Sequence, residues 1–174
     1  MPFVLPPLYA KQRAAVCDPR RVVCIESTTK AGKTMGCAIW QIGQVMSGPP
    51  DAEHWWVAPV YEQSMMAYRL AWSLLRGQPG FRQVLSERAI IGPGERRWSF
   101  RSADKPDNLY GSAVSSAVLD EASRMKDDAV DAVYSTTTTL DPQITAAIEA
   151  SQQTADDDMQ EPPPVPEVEP PEVA

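Results

Sequence analysis

The sequence predicts an α/β domain built around a largely parallel sheet. Short β-branched or aromatic runs at residues 21–26, 55–58 and 117–120 alternate with longer segments whose apolar residues recur every three or four positions. Such runs are typical of buried strands, and the recurring spacing is typical of amphipathic helices. A small-residue loop carrying lysines lies between the first run and the first long helix, as in phosphate-binding α/β domains. Strands that alternate with helices usually join into one parallel sheet.

Each element is predicted from its local pattern. Apolar residues at helical spacing through residues 35–46 predict a helix, which Gly48-Pro49-Pro50 would end. Trp98 and Phe100 alternate with polar neighbours and follow Gly92-Pro93-Gly94, which predicts a β-hairpin. In chain order we expect a helix at 8–16, strand at 21–26, helix at 35–46, strand at 55–58, helix at 65–75, hairpin at 89–91 and 97–101, strand at 117–120 and helix at 124–133.

Composition fits a globular protein with an unevenly distributed charge. The 174 residues are 43% hydrophobic and 22% charged, and their mean hydropathy is −0.31, which is ordinary for a globular chain. No apolar run approaches the roughly 18 residues of a membrane span, and the first residues lack the basic region of a signal peptide, so we expect a cytoplasmic protein. Residues 1–126 have a net charge of +5 and residues 127–174 a net charge of −12. The overall −7 therefore does not exclude a nucleic-acid partner.

Cysteine and histidine usage restricts the possible chemistry. Cys17, Cys24 and Cys37 are odd in number and not paired in CxxC spacing, so we interpret them as reduced, mostly buried residues. His54 is the single histidine, which excludes a His-rich zinc site. We expect His54 to have a structural role.

The C-terminal region differs in character from the rest. We assign residues 1–148 to one domain, incomplete after about residue 140, and residues 149–174 to a disordered acidic tail. Residues 160–174 contain six prolines and no periodic apolar face. Asp156-Asp157-Asp158 is interpreted as a solvated charge run and not as a metal site.

The strongest functional signal is the loop Ser27-Thr28-Thr29-Lys30-Ala31-Gly32-Lys33-Thr34. A loop between a strand and a helix can cradle phosphates with its backbone N–H groups and the helix N-terminus. Gly32 would let the backbone approach the phosphates, Lys33 would neutralise the β- and γ-phosphate oxygens, and the Thr34 hydroxyl would bind Mg²⁺. Ser27 stands where such loops usually have their first glycine. The alternative is a helix N-terminus with an incidental lysine.

Two carboxylates follow the last predicted strand, in Val118-Leu119-Asp120-Glu121. Asp120 would hold Mg²⁺ directly or through water, and Glu121 would orient or deprotonate the attacking water. Phosphoryl transfer to water mainly needs a metal and a nearby base. The alternative is a solvated turn at a strand end.

Several segments, in the expected order, resemble the ATPase domain of the large terminase subunit of tailed phages. The matching stretches are residues 8–12, 27–34, 55–61, 100–111 and 118–122, and the resemblance covers about residues 8–139. It implies a P-loop NTPase fold of the ASCE type, which has an additional strand and a catalytic glutamate.

The resemblance also implies ligands, roles and partners. Gln12 would read the adenine of ATP, Lys33 and Thr34 would serve phosphate and Mg²⁺, Asp120 would serve Mg²⁺, and Glu121 would be the catalytic base. Lys30 would be either an additional transition-state cation or a solvated lysine. The family hydrolyses ATP to drive double-stranded DNA into a capsid, as a homo-oligomeric ring at the portal protein with a small terminase subunit, in the host cytoplasm.

Two parts of that family's plan are missing. After the acidic pair the only candidate for a further strand is residues 134–139, which could also be the end of the preceding helix, and no nuclease domain is recognisable. We therefore expect a truncated or frame-altered large terminase. Two other functions stay open: an accessory, helicase-like ATPase, and a non-catalytic remnant or interaction protein.

Arginines give the basic region much of its charge. They are either a solvated hairpin face or a surface that faces DNA or a neighbouring molecule. The five residues concerned are Arg82, Arg88, Arg96, Arg97 and Arg101.

Overall fold

The computed structural model describes residues 4–28 and 30–137. The helices are α1 (Ala10–Val16), α2 (Lys33–Ser47), α3 (Tyr61–Leu75) and α4 (Asp127–Thr136). The strands are β1 (Glu53–Ala58), β2 (Arg82–Val84), β3 (Ala89–Ile91), β4 (Arg97–Ser102) and β5 (Val114–Leu119). Short 3₁₀ turns lie at Leu85–Glu87, Pro93–Glu95, Pro106–Leu109 and Ala122–Arg124.

The five strands form one mixed sheet in the order β2-β3-β4-β1-β5. Central β1 pairs in parallel with β4 and with β5, while β2, β3 and β4 pair antiparallel. The predicted hairpin of residues 89–91 and 97–101 is therefore confirmed. Because parallel strands are covered on both faces, β1 is apolar at most of its positions, and Trp55, Trp56 and Val57 are fully buried.

The two faces of the sheet are covered by different helices. Helices α2 and α3 pack on one face, where Trp98 and Phe100 of β4 lie with ring centroids 4.8 Å apart and Tyr68 of α3 contacts Phe100 edge-on at 5.2 Å. Helix α4 packs on the other face. Its cluster comprises Trp55, Val57, Ala103, Leu109, Val114, Ala129, Ala132 and Val133.

One predicted strand is absent. Residues 21–26 form no strand, and Val22 and Val23 are 50% and 36% exposed. The prediction was wrong because a β-branched run becomes a strand only beside a partner, and no described strand neighbours this segment. The segment is tied toward the sheet by the bond that the Arg21 guanidinium donates to the Thr137 carbonyl, at 3.3 Å. Cys24, expected to be mostly buried, is exposed for the same reason.

The threonine run after α4 is only partly described. Thr136 ends α4, so the run begins as the end of that helix, and Thr137 makes an isolated parallel bridge with Val114 at the outer edge of β5. Residues from 138 onward, including the predicted domain limit at 148 and the acidic tail, lie outside the described residues. No helix in the described part of the chain is both long and apolar enough to cross a membrane.

Candidate functional site: a loop facing two carboxylates

The loop before α2 turns through two left-handed residues. Lys30 has φ 65° and Gly32 has φ 76°, and Gly32 is the N-cap of α2. Alternating backbone conformations of this kind turn successive N–H groups toward one concave surface, which favours an anion. Within the described part of the chain, the amides of Lys30 and Ala31 donate no hydrogen bond. These donors are therefore available to a phosphate.

Lys33 folds back over this loop. Its Nζ donates to the Ser27 carbonyl at 2.6 Å and to the Thr28 carbonyl at 3.3 Å. The ammonium thereby lies against the first residues of the loop, and Thr34 follows Lys33 in the first turn of α2. The predicted roles of both residues toward phosphate and Mg²⁺ stay predictions. Thr29 lies outside the described residues.

Helix α1 supports the loop from the other side. Gln12 Nε2 donates to the Gly32 carbonyl at 3.0 Å, and the Tyr9 hydroxyl donates to the Ala31 carbonyl. The left-handed φ of Gly32 favours glycine, and a Cβ there would lie 2.3 Å from Gln12 Nε2, so the Gln12 amide would have to move away from the loop. The amide expected to read adenine is thus next to the phosphate loop, and that role stays a prediction.

Asp120 lies at the carboxyl end of β5. Its amide donates to the Val57 carbonyl at 2.8 Å, which continues the ladder to β1. Burial raises the pKa of this carboxyl, the negative charge of Glu121 raises it further, and the positive charge of Lys33 acts against both. Lys33 and Asp120 are therefore close enough for the charge of the lysine to act on the carboxylate. A cation at that position would favour the ionised form of Asp120.

Glu121 projects from a strained turn and is held by two side chains. Its φ is 54°, in the left-handed region that residues with a Cβ seldom adopt. Glu121 Oε2 accepts from Arg124 Nη1 at 2.6 Å and from Gln63 Nε2 of α3 at 3.3 Å. These contacts, with the Arg124 contribution the largest, hold the pKa of the Glu121 carboxyl below its usual value. The Glu121 carboxylate is therefore ionised at neutral pH and held in one orientation by these two contacts.

Sequence reasoning missed both of these neighbours. Arg124 follows Glu121 at a spacing of three, which is a recognisable signal for an ion pair within one helical turn. Gln63 comes from a different element, and no local pattern in the sequence points to it.

A buried polar chain connects α2 to the sheet beneath the site. Gln41 Nε2 of α2 donates to the Ser116 hydroxyl of β5 at 2.8 Å, and His54 Nδ1 lies 2.8 Å from that hydroxyl. Burial lowers the pKa of His54 to about 4, so the ring is neutral and structural, as expected. Burial likewise raises the pKa of Cys37 to about 11, with the negative charge of Asp120 adding to the rise, so this thiol is protonated at neutral pH.

The donor set suits Mg²⁺ bound together with nucleotide. Within residues 4–28 and 30–137, no group of three or more His, Cys, Asp or Glu side chains could hold a metal by itself. Mg²⁺ commonly takes one or two protein oxygens and completes its shell with phosphate and water. The Thr34 hydroxyl and the Asp120 carboxylate are oxygen donors of that kind.

Most of the hairpin arginines have local partners. Arg82 pairs with Glu95, Arg97 with Glu87 and Arg101 with Glu53. Arg96 donates to the backbone carbonyls of Gly48 and Pro93. Arg88 instead lies over the Tyr61 ring, 5.1 Å from its centroid.

The chain has matches among solved structures, but no match among protein-family models or curated proteins. Among solved structures, the large terminase of bacteriophage HK97 matches 75% of this chain with a TM-score of 0.64 and 22% identity. The large terminase of a thermophilic bacteriophage matches 77% with a TM-score of 0.60 and 13% identity.

The matched part has a large terminase fold. The predicted P-loop α/β architecture and the resemblance inferred from the motifs are confirmed at the level of fold. The chain spans 30% of the length of the HK97 terminase and 37% of that of the thermophilic phage terminase.

Proposed function

We propose that this chain is the ATP-binding and ATP-hydrolysing part of a DNA-packaging motor of the large terminase kind. The observation that carries the proposal is the juxtaposition of Lys33, at the start of α2, with Asp120 and Glu121, at the end of β5. The sheet supports it, because Asp120 and Glu121 follow the carboxyl end of β5, which is parallel to β1, and α/β proteins bind ligands at that edge.

In this proposal each residue has a separate task. Gly32 and the preceding amides surround the phosphates, and Lys33 neutralises the β- and γ-phosphate oxygens. Thr34 and Asp120 hold Mg²⁺, which neutralises charge on the transferring phosphoryl group when bound. Glu121, oriented by Arg124 and Gln63, positions the attacking water and accepts its proton. Lys30 stays a candidate for a second cation at the loop, with no contact in the described residues that assigns it.

Nucleotide binding is tested by thermal melting. ATP with Mg²⁺ at 100 times the dissociation constant stabilises the folded state by about 2.7 kcal/mol, a rise in melting temperature of about 8 °C for a domain of this size. The rise is expected to vanish in Lys33→Ala and to persist in Lys126→Ala, which removes an exposed lysine at the start of α4. A wild-type chain that melts cooperatively without a rise would favour the non-catalytic interaction protein.

Hydrolysis is tested separately through the base. Glu121→Gln preserves shape but cannot accept a proton, so phosphate release should fall by about 100-fold or more while the ATP-dependent rise in melting temperature persists. Unchanged hydrolysis would remove Glu121 from the mechanism. Stimulation of hydrolysis by double-stranded DNA, measured with the same variants, separates a packaging motor from a nucleotide-binding protein of the same fold.

A further inference from the structure

A cationic groove lies beside β4, separate from the phosphate loop. Its volume is about 540 Å³, and Phe100 and Leu109 are part of its wall. Four cationic side chains line it, against the two carboxylates of Glu87 and Asp104. The cations are Arg88, Arg97, Arg101 and Lys105.

Two of these cations have no carboxylate partner. Arg97 pairs with Glu87, and Arg101 pairs with Glu53 while its guanidinium stacks over Trp55 at 4.1 Å. Within residues 4–28 and 30–137, by contrast, the ammonium of Lys105 makes no hydrogen bond or ion pair.

The guanidinium of Arg88, the other unpaired cation, contacts only the Tyr61 ring within the same described part. The Arg88 backbone is left-handed, with φ 50°, a conformation that costs about 1–2 kcal/mol in a residue with a Cβ. The fold therefore keeps the Arg88 guanidinium at the groove despite the conformational cost of its left-handed backbone.

The chain itself contains a segment of the complementary charge. Residues 156–172 hold seven carboxylates and no basic residue. Nineteen positions separate Asp156 from Thr137, the last residue that the structure describes.

Helix α4, the last described helix of the chain, contacts a turn that forms part of the groove wall. Helix α4, which ends at Thr136, packs against the 3₁₀ turn Pro106–Leu109. Asn108 and Leu109 of this same turn line the groove, and the Asn108 carbonyl accepts from Arg101 Nη1 at 3.0 Å. The acidic segment and the groove belong to one chain, so a contact between them is intramolecular.

We propose that residues 156–172 dock in cis on the groove cations and occupy a surface that would otherwise contact a polyanion. Arg88 and Lys105 are the principal contacts, because their charges are not already compensated. The attraction is between exposed groups and is therefore weak per pair and sensitive to salt. The proposal does not depend on nucleotide binding.

Carbodiimide cross-linking of the full-length monomer tests this directly, since the reagent joins lysine amines to carboxylates in contact. The chain has five lysines, at positions 11, 30, 33, 105 and 126, and four of them are internal references. Links from residues 156–172 are expected to concentrate on Lys105 at low salt and to fall several-fold in 0.5 M NaCl. An even distribution over all five lysines, or a maximum at another one, would overturn the proposal.

A matched pair of variants tests the groove. Arg88→Gln is expected to reduce the Lys105 links several-fold, whereas Arg69→Gln, which removes an exposed arginine of α3 outside the groove, should leave them unchanged. Equal effects of the two variants would mean that overall charge, and not the groove, attracts the segment. Far-ultraviolet circular dichroism verifies that both variants are folded.

Competition with nucleic acid gives the last readout. Replacing the seven carboxylates by Asn and Gln in the full chain is expected to tighten binding of a duplex DNA oligonucleotide at least threefold, and Arg88→Gln should reverse that gain. If the replacement leaves DNA affinity unchanged while Arg88→Gln weakens it, the groove serves nucleic acid alone and the cis contact is refuted.

Discussion

Protonation of His54 should destabilise this fold between neutral and mildly acidic pH. The ring is fully buried in β1, its Nδ1 lies 2.8 Å from the Ser116 hydroxyl, and its Nε2 has no hydrogen-bond partner among the described residues. An imidazolium donates from both nitrogens, so the charged form would lack an acceptor. Burial, assisted by the positive charge of Arg96, accordingly lowers the pKa of His54 to about 4 from an ordinary 6.5.

The size and sign of the effect follow from proton linkage. Between pH 6.5 and 4 the unfolded chain binds a proton at His54 that the folded chain does not, so the free energy of unfolding falls as pH falls. One pKa unit corresponds to about 1.4 kcal/mol, so the loss between pH 7.5 and 5 is about 2 kcal/mol. Asp120, whose pKa is raised by burial, acts in the opposite direction, because the folded chain binds that proton more readily than the unfolded chain.

Comparison with His54→Asn isolates the contribution. The Asn amide can reach the Ser116 hydroxyl as Nδ1 does, but it does not titrate. Urea unfolding at pH 7.5 and pH 5.0 should show that the wild type loses about 2 kcal/mol more than the variant, and the Asp120 contribution, common to both, cancels. Equal losses in the two proteins would refute the buried, neutral histidine.

Two further predictions concern the candidate site. Gly32→Ala adds a Cβ that meets Gln12 Nε2 and should abolish the ATP-dependent rise in melting temperature; Gly77→Ala, at φ 84° with nothing within 4 Å of its Cβ, should keep the rise although both lose about 1–2 kcal/mol in urea unfolding. A normal rise in Gly32→Ala would mean that neither the left-handed φ of Gly32 nor the Gln12 contact is needed for nucleotide binding. Arg124→Gln removes the largest cause of the lowered Glu121 pKa, so the acid limb of the kcat/KM profile should move to higher pH; an unmoved limb would mean that Arg124 does not act on the base.

The sequence predicts those elements whose patterns are local and strong. Helix α2 shows its apolar spacing without interruption, and β1 is a short aromatic run closed by Pro59, so both were found within a few residues of their actual bounds. The segment at 21–26 has an equally strong pattern and fails, because strand formation depends on a neighbour that local sequence does not encode. An apolar pattern shows which residues could be buried in a strand, but only pairing with a neighbouring strand buries them.

The candidate site also has a part that local sequence predicts and a part that it does not. The nearness of Lys33 to Asp120 was predictable, because a loop at the start of a helix and a residue at the end of a parallel strand lie at the same edge of the sheet, while their roles stay predictions. The support that Gln12 gives to Gly32, and the contact of Gln63 with Glu121, depend on how helices from distant parts of the chain pack. Those contacts are properties of the tertiary structure alone.

The weak attachment of residues 21–26 has a consequence for ligand affinity. On its N-terminal side the phosphate loop is connected to the sheet through the bond from Arg21 to the Thr137 carbonyl, and Thr137 bridges Val114 at the edge of β5. A nucleotide that needs this loop ordered binds with an affinity reduced by the fraction of molecules in which it is ordered. Any polypeptide that pairs with the β5 edge and with residues 22–25 together would raise that fraction without touching the nucleotide. Under the proposed function, the measured ATP affinity would therefore depend on how completely the sheet of this chain is paired.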